Sequence, residues 1–144
     1  MQLWHASPYA AAMRRFGTPP TAEEIEAIAW AALTALPSPF AQSLGDVVLL
    51  VEEFADDETL DKLGIEDPFE LSGIYEGVPL IERSVEQSGM LPERIRLFRR
   101  SILDEWAGRD ETLERLVAHV LIHEVGHHFG LSDADMHALE DSAA

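Results

Sequence analysis

The chain has 144 residues, 47% of them hydrophobic and 26% charged, and no cysteine. That is enough for one domain with its own core, and it excludes disulfides and thiolate metal ligands. A formal net charge of -17 repels phosphate backbones, so basic peptides or cations are expected as partners rather than nucleic acid.

No apolar run is long enough to span a bilayer, so no membrane association is expected. The stretch MQLWHASPYAAAMRRFGTPP has no basic segment followed by an apolar one, so a signal peptide is not expected either and the default compartment is the cytoplasm. Residues 1–20 lack periodicity and end in Pro19-Pro20. They read as a loose leader, docked at most by Trp4 or Phe16, ahead of a single domain over 21–144.

Thr21 and Glu24 have capping-box spacing, and Ile25, Ile28, Ala29, Ala32, Leu33 and Leu36 follow at helical spacing until Pro37. A helix is predicted over about 22–36. DVVLLVEEF (46–54) holds five consecutive apolar residues between charges and predicts a buried central strand. DDETLDKLG (56–64) predicts a helical turn or two ending at Gly64. FELSGIYEGVPL (69–80) predicts an irregular or edge strand, and 82–92 a loop. RIRLFRR (94–100) alternates and predicts a strand with one wet face, its Arg94, Arg96, Arg99 and Arg100 solvated. SILDEWAG (101–108) predicts a short helix closed by Gly108. Asp110 is expected to cap the longest helix, running to about His128 and stopped by Gly130. Ser132 is expected to cap a last helix through Glu140. This order predicts an α+β fold with one small mixed sheet flanked by helices.

The long helix carries HVLIHEVGHHFGLSD (119–133). At about 100° per residue, Leu113, Leu116, Val117, Val120 and Leu121 share one face. Glu124 falls within that face, and His123 and His127 flank it one turn apart. Ile122, Val125 and Phe129 cover the other side, so the helix is expected to be enclosed, with a polar patch let into one side. An unpaired buried carboxylate costs several kcal/mol or takes a proton. A cation beside Glu124 removes that difficulty.

His-Glu-x-x-His on a helix puts two neutral imidazoles on one zinc ion with the glutamate beside them as general base. Gly130 breaks the helix and Asp133 follows three residues later, giving H-E-x-x-H-x-x-G-x-x-D. Asp133 is the favoured third ligand, with Asp135, His137, Glu140 and Asp141 close enough to compete. His119 reads as a core or rim histidine, and His128 as structural. Gly126, costly inside a helix, implies close approach of another backbone. Tyr75 is a candidate oxyanion stabiliser, and a strand near 73–78 or 94–100 is a candidate edge for an extended substrate.

With HEVGHHFGLSD (123–133), GIYEGVPLIERS (73–84) and PERIRLFRR (92–100), the sequence resembles the small bacterial zincin-like metallopeptidases, the minimal zincins, over roughly 40–142. The resemblance implies a small sheet with the active-site helix lying beneath it, zinc (Zn2+) on His123, His127 and Asp133, Glu124 as the catalytic base, and a peptide or protein substrate. Larger relatives of this spacing place a methionine turn well downstream of the third ligand. Here Met136 stands only three residues beyond Asp133. Two other functions fit the composition less well. A zinc-binding interaction module without turnover has no need of the glutamate. A zinc ribonuclease conflicts with both the glutamate and the charge of -17.

Overall fold

The computed structural model describes residues 15–38, 40–44, 46–77 and 93–143. The expected loop at 82–92, Trp4 and most of the leader lie outside the described residues, while Phe16 stands 79% exposed.

Helix α1 spans Ala22–Thr34, and α2 is a single turn at Phe40–Ser43. Strand β1 (Val48–Glu52) is followed by α3 (Asp57–Leu63), a 3-10 turn at Pro68–Glu70 and β2 (Gly73–Glu76). Strand β3 (Arg94–Phe98) runs straight into α4 (Arg99–Ala107), two residues earlier than the sequence predicts. The two C-terminal helices are α5 (Leu113–Phe129) and α6 (Asp133–Ala143).

Local chemistry explains most of the boundaries. The Thr21–Glu24 capping box is formed in both directions. Gly64 and Gly130, both at φ 69, end α3 and α5 in the left-handed conformation. One cap differs from expectation: the α5 N-cap is Thr112, whose hydroxyl accepts from the Arg115 N–H at 3.1 Å. Asp110 is two residues too early, because Glu111 is held outside the helix, its carbonyl accepting from Trp106 Nε1 at 2.9 Å. Ser132 does cap α6, accepting from the Asp135 N–H at 3.1 Å.

The sheet order is β1-β3-β2, with β1 parallel and β2 antiparallel to β3. This α+β arrangement corrects two expectations. β1 is an edge strand: Leu49 is buried, but Val48 and Leu50, on the opposite face, stand 37% and 36% exposed. Its apolar run therefore has one buried side and one that is partly exposed at the sheet edge. β3 is the central strand and has no wet face, for Ile95, Arg96, Leu97 and Phe98 are all buried.

The two faces of the sheet are covered differently. On one, Leu49, Ile95 and Leu97 join Ile25, Ala29 and Leu33 of α1 and the apolar stripe of α5 in the main core. On the other, Phe98 packs with Ala55 and Leu60 in a smaller cluster. Arg96 shares that second face. It donates to Glu52 Oε1 (2.8 Å), Thr59 Oγ1 (3.0 Å), Asp56 Oδ1 (3.3 Å) and Glu76 Oε1 (3.3 Å). The expectation of a solvated arginine row thus fails at Arg96, because α3 and both neighbouring strands bring oxygens to it. No described helix is long and apolar enough to cross a membrane.

Candidate metal and catalytic site

Helix α5 is enclosed as its periodicity predicts: Leu113, Leu116, Val117, Val120, Leu121, Ile122, Val125 and Gly126 are all buried. Gly126 is needed for packing, although its neighbour is not the backbone expected from sequence. A methyl group there would run into the side chain of Met136, which is itself buried. Met136 thus fills the notch that Gly126 leaves in α5. The turn at Gly130, with Leu131 N donating to Gly126 O at 2.9 Å, brings α6 back along α5.

Glu124 is half-buried and faces β2. Its Oε2 accepts the backbone N–H of Tyr75 at 3.1 Å, which ties the carboxylate to the edge strand. Burial pushes its pKa upward, opposed in part by that N–H and by His127. A carboxylate raised in this way holds a proton more readily than one in water, which suits a general base.

His123 lies beside it, also half-buried. Its pKa is lowered chiefly by burial and next by His119, while the charges of Glu140 and Asp133 pull the other way. Lowering keeps the ring neutral, the form that binds a metal. His127 is exposed, and its ring centre lies 6.4 Å from that of His123, nearly perpendicular to it. Asp133 is exposed at the first turn of α6, close enough for its charge to act on His123. The donor types therefore fit a zinc-class ion: two imidazoles one turn apart, one held neutral, with a carboxylate's charge directed at it and no thiol.

Among the described residues, the three donors that converge most tightly include only one of these. Ligand atoms of His119, His123 and Glu140 lie within 4.8 Å of one another. The His119 and His123 ring centres are 4.2 Å apart, and His119 Nδ1 is hydrogen-bonded to Glu140 Oε1. His119 is therefore partnered within this cluster rather than a bystander at the rim. The sequence signal was its spacing of four from His123, the same as that of His123 from His127.

The Tyr75 hydroxyl is hydrogen-bonded to Glu93, and its ring stacks on His128 with centres 4.2 Å apart and planes 15° from parallel. The backbone N–H of Tyr75, not its phenol, is thus the group turned to Glu124. His128 is a packing residue as expected, its Nε2 lying 3.6 Å from Glu93 Oε2. Glu93, which sequence reading passed over, is buried beside this stack.

The family model described as zincin-like metallopeptidase matches residues 44–143, which takes in β1 through α6 and every residue of the candidate site. No curated protein sequence matches the chain.

Proposed function

Because the chain belongs to the zincin-like metallopeptidases, we propose that it is a zinc-dependent peptidase in which Glu124 is the general base and His123, His127 and Asp133 hold the ion. Zinc, when bound, polarises the substrate carbonyl and acidifies the attacking water. The remaining work falls to the chain's own groups. Glu124 takes a proton from that water and returns it to the leaving amine. The Tyr75 N–H, 3.1 Å from Glu124 Oε2, fixes the orientation of the carboxylate. Burial along α5 keeps the carboxylate basic and His123 neutral.

The sheet topology supports one course for a substrate peptide. β3 has partners on both sides, so 94–98 offers no free edge. Among the described residues β2 pairs with β3 alone, and its other side faces Glu124 through Tyr75. An extended substrate laid along that side of β2 passes beside the base.

The observation that carries this reading is a half-buried glutamate, tethered by a strand N–H, one residue from a histidine kept neutral. A binding-only module has no use for such a group. Glu124→Gln is expected to lower kcat on a peptide library by about 100-fold or more, while elemental analysis still finds the ion. Equal, zero turnover by both proteins would favour the module without catalysis.

A further inference from the structure

The tightest trio of metal donors among the described residues is His119, His123 and Glu140, and only His123 belongs to the catalytic motif. We propose that these three form a second site for a zinc-class divalent ion. It shares His123 with the motif, so only one of the two sites is filled at a time.

Four observations carry the proposal. His119 and His123 stand one turn apart on α5, the arrangement that gives a helix two imidazoles on one ion. Their ring centres are 4.2 Å apart, against 6.4 Å for His123 and His127, so the upstream pair is the closer one. Glu140 comes from the facing helix α6 and already bonds His119 Nδ1 through Oε1, while its Oε2 lies 3.4 Å from His137 Nδ1. The carboxylate is thus fixed from both sides. Lastly, the three ligand atoms lie within 4.8 Å. A tetrahedral ion with bonds of about 2.0–2.2 Å holds its ligand atoms about 3.3–3.6 Å apart. Side-chain rotations would bring the three to that spacing, the His119–Glu140 hydrogen bond giving way to the ion.

Two imidazoles and one carboxylate select zinc, cobalt or nickel over magnesium or calcium. Exclusivity follows from the ligand they share. A neutral imidazole has one free lone pair and carries its proton on the other nitrogen, so His123 serves one ion. The inference goes beyond the peptidase reading and does not require it, for it concerns where the ion binds rather than what it does. Its functional consequence is competition: an ion held by His119 and Glu140 takes His123 away from His127 and Asp133.

The test titrates metal-free protein with Co2+, following the visible absorption of the bound ion and the stoichiometry at equilibrium dialysis. Wild type is expected to bind one ion per chain. His127→Ala removes a ligand from the motif only, and it is expected to keep one Co2+. Adding His119→Ala to it is expected to weaken binding at least 100-fold, and adding Glu140→Gln at least tenfold. His127 is exposed. Should its Ala variant unfold by circular dichroism, His127→Gln takes its place. Loss of all Co2+ from the folded His127 variant overturns the proposal, and so does binding by the His119→Ala double variant equal to that of its parent. Two ions on one wild-type chain overturn it as well. None of these outcomes alters the Glu124→Gln comparison, which tests catalysis separately.

Discussion

Arg96 and Glu124 are both ionisable groups drawn in from solvent, on opposite sides of the small sheet's surroundings, and they are treated in opposite ways. Arg96 is ringed by Glu52, Asp56, Glu76 and Thr59, and the net effect of its surroundings raises its pKa despite the cost of burial. The charged form is held there, and the cluster ties β3 to both neighbouring strands and to α3. Around Glu124 burial outweighs the N–H of Tyr75 and the charge of His127, and the neutral form gains. His123, next in sequence, is displaced toward its neutral form too. The contrast separates a charge that its surroundings hold from one that they neutralise. A buried ion with its partners built in has no further use for a ligand, whereas a carboxylate and an imidazole both biased toward neutrality are suited to proton transfer and metal binding.

The largest stability change is expected where charge is held. Arg96→Ala leaves three carboxylates facing one another without their cation. Removing one partner of a fully buried pair costs about 3–5 kcal/mol. Here the carboxylate side chains remain 45%, 58% and 32% exposed, so about 2 kcal/mol is expected after solvent screening. A urea midpoint unchanged from wild type would break the comparison at its structural end. Arg96→Lys should recover only part of the loss, because an ammonium cannot span four acceptors as a guanidinium does.

Next comes the notch beneath the candidate site. Gly126→Ala gains about 1 kcal/mol of helix propensity, yet it collides with Met136, for which overpacking costs about 1–3 kcal/mol. A net loss of about 1 kcal/mol is expected, and the coupling should show as non-additivity with Met136→Ala in a double-mutant cycle.

The smallest effects sharpen the comparison through pH. Asp56 has its pKa lowered from 3.8, first by the Thr59 hydroxyl and then by Arg96. Its contribution is therefore present above the unfolded value and is lost as pH falls through the folded one. Glu124 has its pKa raised from 4.5 by burial. As pH rises past that value the unfolded chain ionises first, so stability falls until the folded carboxylate ionises too. Denaturation of metal-free protein between pH 3 and 8 should thus show opposite changes for two variants. Asp56→Asn flattens the acid limb, and Glu124→Gln removes a decline on the way to neutrality. The same slope in both variants would erase the distinction between the two groups.

What could be read from sequence was local. Thr21 with Glu24, Gly64, Gly130 and Ser132 mark helix ends because each cap is made within four residues. The enclosed character of α5 was legible too, since its apolar residues cover more than one face. Sheet order was not: nothing within VLLVE says which strand lies beside it, and β1 proved to be an edge while β3 took the centre. Arg96 looked solvated because its partners come from positions 52, 56, 59 and 76, which only the assembled sheet brings together. At the candidate site, His123, Glu124 and His127 follow from spacing on one helix. The pairing of His119 with Glu140 depends on α6 folding back along α5, a matter of tertiary packing.

The seam between α5 and α6 has a chemical consequence of its own. A thioether seated in the gap left by a missing methyl cannot accept an added oxygen without parting the two helices, and Met136 is shielded from peroxide while they stay together. The rate at which its sulfoxide forms, read by mass spectrometry, is therefore a clock for how often the C-terminal helix lifts away from the histidine-bearing one.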